Sequence, residues 1–540
     1  VEFEASLADA FRRRTRLGYR TVGHNLAFDL KLSARHSVYP DAPLEDTMIN
    51  EGLIDDIAGS FSLDSCSARR GVTAKLGDEL YRELATRFGG LPDRKQMGNF
   101  WRLPGDLPVA VDYAVGDGVS TLELWAAQQP LLDELELRKV WKLECDLIPY
   151  LARMQRRGIK VDPAYAERVM VELEGSIDNA KRALSPGFNV RSPKELEALF
   201  RSSGVVDFAQ TAGGKPSFTE KWLEGNDAGR AVLAVRRLEK ARDSFITPLI
   251  STNNVQGRVH PVLNQSKSDE YGAIGGRLSC SEPNLQAFPK RNYVVGKLVR
   301  PLLIPDEQFE FMGEADFSQQ EPRLFAHYSE DENLLRGYNG SPVIDIHSTA
   351  SALLGMPRDH AKRLGLGILT GMQPKSLAGH MGYSVDDAAR DHRRFLHDAF
   401  PGIEDFQQLA KRVFKSRGYV RTILGRIAKL DHPQYAYRAV SRIIQGSGAD
   451  HTKTTLLRIN QYAEAYPDEI NILLTIHDSF IWQSSWKADN PKLREMVRIM
   501  EDVQSPPFNF ATPIPVEVIL GRNWGEASYG EKAKKVEGWV

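Results

Sequence analysis

Cysteine is scarce in this chain of 540 residues: three are present, Cys66, Cys145 and Cys280, widely separated and odd in number. That excludes a disulfide framework, shows no metal-ligand spacing, and fits a reducing, cytoplasmic setting. Long apolar runs are missing too. None approaches the ~18 residues needed to cross a bilayer, so no membrane association is expected. Net charge is close to nil at −1, so a nucleic-acid surface would have to be a local basic patch balanced by acidic ones elsewhere. There is no internal repeat and no low-complexity tract. Nor is there an initiating methionine: Val1 falls inside an amphipathic pattern, FEASLADAFRRRTRLGYR, and the chain reads as truncated at its N-terminus.

What is present is 42% hydrophobic and 26% charged, enough for several domains with sizeable cores. Residues 1–130 alternate short apolar strands with helices, as an α/β domain does, and RTVGHNLAFDLKL reads as strand, turn and helix start. Residues 131–255 carry long 3.6-period apolar spacing, as in ELRKVWKLECDLIPYLARMQRRG, and read as a helical arm. From about residue 256 the pattern is mixed, with a helical insertion over 341–430 and a β-hairpin from Asn471. The fold class is α+β.

Two distant segments place an aspartate where an apolar strand runs out: GEADFSQQEPRLFAHYS with Asp316 and INILLTIHDSFIW with Asp478. Either one alone reads more readily as a turn or helix-cap residue. Brought within ~4 Å, the two would repel by ~4 kcal/mol at an effective dielectric near 20. A divalent cation between them reverses that sign, which is the arrangement of two-metal phosphoryl transfer. In RDHAKRLGLGILTGM, Arg358, Lys362 and Leu366 are four apart and share one helical stripe, suited to a triphosphate followed by a base ring. A solvated basic face is the commoner meaning of such a stripe. Against it stand Gly365, Gly367 and Gly371, each costing ~1 kcal/mol inside a helix, as though a ligand approached there; Gly371 also fits a C-cap. The loop GGRLSCSEPNLQAFPKR offers Arg277, Asn284, Gln286, Lys290 and Arg291 to minor-groove acceptors. IIQGSGAD, with Gln445, reads as a helix that something approaches closely.

Taken together and in this order, these segments resemble the family A DNA polymerases, the class of bacterial DNA polymerase I and many phage replicative enzymes. GYVRTILGR and the closing GRNWGEA match as well, and the resemblance covers essentially the whole chain. It implies a right-hand fold of palm (256–340 and 431–540), fingers (341–430) and thumb (within 131–255), preceded by a partial ribonuclease H-like 3′–5′ exonuclease domain (1–130). It implies primer extension with dNTPs in a bacterial or phage-infected cell, by a monomer whose partners are primer-template DNA and dNTPs. Two Mg²⁺ would be held by Asp316, Asp478 and the Phe317 carbonyl. Arg358, Lys362, His347, Gln319, Leu366 and Thr370 would line the nucleotide site, Lys362 also giving a proton to pyrophosphate. Glu321 would exclude a ribose 2′-hydroxyl. Arg277, Gln286, Gln445 and His477 would contact the minor groove, and Arg236, Arg237 and Lys240 the DNA phosphates.

The chain departs from the family pattern in places. Leu366 stands where Phe or Tyr is usual, which implies weak use of dideoxynucleotides; Thr370 replaces a usual Tyr, and Ser479 a commoner Glu. In the first domain GHNLAFDL matches an exonuclease motif with Asn25 and Asp29, and YAVGD another with Tyr113 and Asp117. The expected DxE is missing, so little or no proofreading is expected. Two rival readings are a single-subunit RNA polymerase, against which Glu321 argues, and a non-catalytic DNA-binding relic, against which both aspartates argue.

Overall fold

The computed structural model describes residues 9–535 except 11, 15, 36–42, 74–76, 183, 185–186, 206–207, 209, 212–213, 267–272, 274, 291–292, 370 and 531–533. Near the N-terminus, strand β1 (Thr21–Gly23) pairs in parallel with β2 (Leu44–Asp46). Between them Asn25 turns the chain at a φ of 64° and starts helix α1 (Leu26–Arg35). The strand–turn–helix reading of this segment holds. The alternation expected over residues 1–130 is thinner than the sequence suggests: among the described residues β1 and β2 are the only strands there. Most of the region is helical instead, including the 27-residue helix α2 (Pro108–Glu134).

Helix α3 (Arg138–Arg157) buries Val140, Leu143, Leu147, Leu151 and Met154 along one stripe, as the 3.6-period spacing requires. It stops at Gly158, whose φ of 61° suits a residue without a Cβ; a Cβ there would lie 2.5 Å from the Val259 carbonyl. Farther on, Phe200, Leu223, Val232 and Val235 build a small separate core around helix α4 (Asp227–Lys240).

The largest sheet lies in the C-terminal half. Its centre is β3 (Phe311–Phe317), flanked by β7 (Ser479–Ser484) and β8 (Val516–Gly521), with β6 (Ile470–Ile476) beyond β7 and β9 (Lys534–Lys535) beyond β8, all antiparallel. The labels β4 (Tyr419–Arg421) and β5 (Ile427–Lys429) belong to a separate hairpin. Five of the seven residues of β3 are buried, Glu314 among them, so both its faces are covered and only Phe311 and Asp316 are half-buried. Gly313 is required there: Trp482 stands opposite, and a Cβ on Gly313 would meet its indole at 2.1 Å. Helices α5 (Gln320–Ser329), α6 (Ile346–Leu354), α7 (Arg358–Leu369) and α8 (Ala439–Ala463) follow in chain order.

One contiguous core runs from Leu26 to Ala527, so the start of the chain packs with the C-terminal half. The two are also bolted by charge: Lys429 donates to Asp55 at 3.0 Å and Arg442 to Asp56 at 2.6 Å. Among the described residues no helix is long and apolar enough to cross a membrane.

Candidate active site

Asp316 is the penultimate residue of the central strand, standing opposite Ser479 on one side and Glu517 on the other. Asp478 is the second residue of the two-residue turn joining β6 to β7, and His477, the first, takes a φ of 55°. A positive φ at that position gives a tight hairpin the twist that its strands need. The Phe317 main-chain N–H donates to the Asp478 carbonyl at 3.3 Å. Burial, and next the charge of Asp316, push the Asp478 carboxyl up to about 6. Two carboxylates brought together, one of them raised by burial and by the other's charge, are what a divalent ion would relieve. Among the described residues no cage of three or more His, Cys, Asp or Glu side chains gathers. Mg²⁺ does not need one, because it is commonly held by one or two carboxylates with substrate phosphates completing its shell. The donor set therefore fits such an ion.

Glu321 and His477 lie close enough to the aspartates to feel their charge, and Arg277 lies close to both. Glu321, in the first turn of α5, accepts from Arg277 at 2.6 Å. Burial and the neighbouring Arg277 charge lower the His477 imidazole, while Asp316 and Glu321 act to raise it. Gln286 donates to the Thr475 carbonyl at 3.0 Å, three residues before Asp478. Gln445 lies on α8, beside Gly446. Like Arg277 and Gln286, two further loop residues read as groove contacts are engaged within the protein. Asn284 caps a short 3₁₀ turn, and Lys290 donates to Glu314 at 2.8 Å and Asp316 at 3.2 Å. Arg291 lies outside the described residues.

A second cluster forms on α6 and α7. Asp345 caps α6 by accepting from the Ser348 N–H at 2.6 Å, and it pairs with Arg358. Arg358 also donates to the Ser348 hydroxyl at 3.0 Å. His347 is buried, and burial, with help from the charges of Lys362 and Arg358, lowers its imidazole. Lys362 is exposed. Leu366 lies on α7, and Thr370 falls outside the described residues. A relay ties this cluster to the first: the Tyr338 hydroxyl donates to Gln319 at 3.0 Å and accepts from the Ile346 N–H at 3.4 Å.

The glycines have a different meaning from the one the sequence suggests. A Cβ on Gly365 would press on the Phe395 ring at 3.2 Å and one on Gly367 on Leu377 at 3.0 Å, so both serve helix packing. Gly371, at a φ of 83°, donates to the Ile368 carbonyl as a C-cap does. What approaches the IIQGSGAD helix is protein: Thr422 at Gly446 and Gln320 at Gly448. Along the helical arm, Arg236 donates to the Val190 and Phe218 carbonyls, and Arg237 pairs with Glu220 and Glu224. Both are already engaged, while Lys240 is exposed.

In the N-terminal region Asp29 lies in the first turn of α1, where burial and the charge of Asp46 push its carboxyl up to about 6. Asp46 was not singled out from the sequence. It accepts from the N–H groups of Asn25, Leu26 and Met48 at 3.1, 2.6 and 2.8 Å, so it holds the starts of two helices. Tyr113 and Asp117 lie on α2, with Tyr113 packed against Phe100, Leu80 and Leu84.

Sequence reasoning also missed a buried charge network. Arg426 donates to Glu144 at 2.5 Å and to Asp450 at 2.9 Å, and Lys453 donates to Glu144 at 2.6 Å. Burial alone would raise the Glu144 carboxyl, but Lys453 and Arg426 hold it below its usual range. No local pattern announces such a set, because its members come from α3, the β4–β5 hairpin and α8.

Residues 164–526 match the family model described as DNA polymerase family A. The chain is similar to DNA polymerase DpoZ of Salmonella phage PMBT28, at 31% identity over 94% of this chain and 88% of that one. It is similar to DNA polymerase DpoZ of Acinetobacter phage SH-Ab 15497, at 30% identity over 96% and 90%. DNA polymerase I of Rhizobium leguminosarum is 28% identical over 94% of this chain and 51% of its own length. A solved POL domain of Pol1 from M. smegmatis, in complex with DNA primer-template and dNTP, superposes with a TM-score of 0.79 at 24% identity, covering 97% of this chain and 89% of that one.

Proposed function

Because this chain belongs to DNA polymerase family A and has its α+β right-hand fold, we propose how its residues divide the work of template-directed DNA synthesis. The activity is that of a DNA-directed DNA polymerase. Residues 256–340 and 431–540 serve as palm, 341–430 as fingers and 131–255 as the arm with the thumb. Asp316, Asp478 and the Phe317 carbonyl would hold two Mg²⁺ ions. When bound, these ions lower the pKa of a primer 3′-hydroxyl and neutralise charge on the leaving pyrophosphate.

The protein's own groups do the rest. The sheet fixes Asp316 and Asp478, so the acceptor end of the primer is oriented at the close of β3. Arg358, Lys362 and His347 bind the triphosphate, with Arg358 preset by Asp345 and Ser348. Lys362, exposed on the same stripe, gives a proton to the departing pyrophosphate. Gln319 sits at the end of the Tyr338 relay, so the turn after Asp316 and the start of α6 are held in fixed register. Glu321 crowds the 2′ position of the incoming sugar. Arg277, Gln286, Gln445 and His477 follow the minor groove at the primer end. Primer-template DNA and dNTPs are the partners, and the chain acts as a monomer in the cytoplasm of a bacterium or phage-infected cell.

The observation that carries this reading is the convergence of Asp316 and Asp478, 162 positions apart in the numbering of the chain, on one edge of the central strand. Extension of a labelled primer-template with dNTPs, and separately with rNTPs, tests it. Synthesis with dNTPs that is lost in Asp478→Ala is the expected result. A preference for rNTPs, or near-normal synthesis by that variant, would overturn it.

A further inference from the structure

Lys290 is the one cation that directly contacts a proposed metal ligand among the described ion pairs. Its Nζ lies 2.8 Å from Glu314 Oε1 and 3.2 Å from Asp316 Oδ2. Glu314 is two residues before Asp316 on β3 and is buried. It does not need Lys290 for neutrality: its other oxygen accepts from Arg300 at 3.3 Å, Trp524 at 2.9 Å and Ser528 at 2.6 Å. The lysine charge is therefore left over for the aspartates.

The backbone leading to Lys290 is fixed while its side chain is 43% exposed. Arg300 donates to the Phe288 carbonyl at 3.2 Å and Tyr529 to the Pro289 carbonyl at 3.0 Å. What can move is the lysine side chain, between a carboxylate that stays in the core and one that faces the cleft.

We propose that Lys290 is a resident counter-cation of the polymerase site: it neutralises Asp316 before a divalent ion arrives and withdraws onto Glu314 when one does, so that the pair sets the affinity of the site for the ion. Lys290 is a positioning residue, acting through Asp316. The inference rests on the assignment of Asp316 as a metal ligand. It makes the two members of one ion pair act in opposite directions. Without the Lys290 charge the ion no longer competes for Asp316; without the Glu314 charge the lysine has only Asp316 to pair with.

Mn²⁺ binding by the free enzyme, followed by electron paramagnetic resonance, reads this directly, with thermal unfolding as the check that each variant is folded. Lys290→Met should bind Mn²⁺ about tenfold more tightly and Glu314→Gln about threefold more weakly, since a like charge at contact distance is removed in one and left unshared in the other. Lys290→Gln, which keeps a donor without the charge, should follow Lys290→Met and serves if the latter does not fold. Weaker or unchanged binding in the Lys290 variants overturns the inference. Asp316→Asn separates the two levels. If it abolishes binding while the Lys290 variants change nothing, only this inference fails; if it too changes nothing, the metal assignment fails.

Discussion

Asp316 and Ser479 are register partners across β3 and β7, which puts Asp478 next in the chain to the residue that faces the other carboxylate. The Phe317-to-Asp478 main-chain bond closes the same corner at 3.3 Å. Neither aspartate is held by a flexible loop, so removing either carboxylate should leave the scaffold in place. Asp316→Asn and Asp478→Asn should each lower single-turnover extension by roughly 10³-fold or more, while the Kd for primer-template changes by less than about threefold. Rapid quench and fluorescence anisotropy measure the two quantities. A parallel loss of DNA binding would mean that these residues hold the fold together instead.

Glu321 shares its carboxylate with Arg277 at 2.6 Å, at a surface where both side chains are 39% exposed. Glu321→Ala opens space beside the sugar and frees the guanidinium. Ribonucleotide incorporation, expressed as the ratio of kcat/KM for rNTP and dNTP, should rise by roughly 10²-fold. An unchanged ratio would place the ribose check elsewhere.

The buried network makes a stability prediction. Asp450→Asn leaves Arg426 in the core with one of its two carboxylates gone. Breaking a buried pair by removing one partner costs about 3–5 kcal/mol, whereas Glu495→Gln, which breaks an exposed helical pair with Arg498, should cost under about 1 kcal/mol. Urea unfolding of both variants compares them. Equal losses would show the network to be no more than surface-like in strength.

Asp306 yields a pH dependence. Burial alone would raise its carboxyl, but hydrogen bonds from Arg258 and Gln483 hold it below its usual value of 3.8. A carboxyl lowered on folding adds stability that is fully present above the unfolded pKa and is lost as pH falls through the folded one. Asp306→Asn should therefore melt below the wild type at pH 7, and the gap should narrow as pH falls below 3.8. Calorimetry between pH 7 and 2.5 reads it, and a gap that persists in acid would assign the loss to packing.

The placement of Asp316 and Asp478 at strand ends and of Arg358 on a helix was legible because each sits where a local period ends or repeats: a strand, a two-residue turn, a four-residue step on a helix. The strand–turn–helix at Asn25 was legible for the same reason. Gly365 and Gly367 misled, since a bare helical glycine looks alike whether a ligand or the Phe395 ring lies against it. Glu144, Asp450, Glu314, Tyr338 and Asp46 gave no signal. Each is an ordinary polar residue whose partner lies in another element, and charge pairing over such separations leaves no trace in a window of sequence. The first 130 residues keep the strand–helix–strand unit but show fewer strands among the described residues than the alternation suggested, because short apolar runs fit a strand or a helix turn equally well.

Glu144 precedes its partner Arg426 by 282 residues and Lys453 by 309. On the ribosome, the helix from Arg138 to Arg157 therefore emerges long before either cation exists, and its carboxylate has nothing to neutralise it. The face of that helix bearing Glu144 can therefore complete its charge pairing only once Lys453 has been made, whereas its contact with the N-terminal elements, such as Trp141 donating to Asn50 at 3.0 Å, is available from the start.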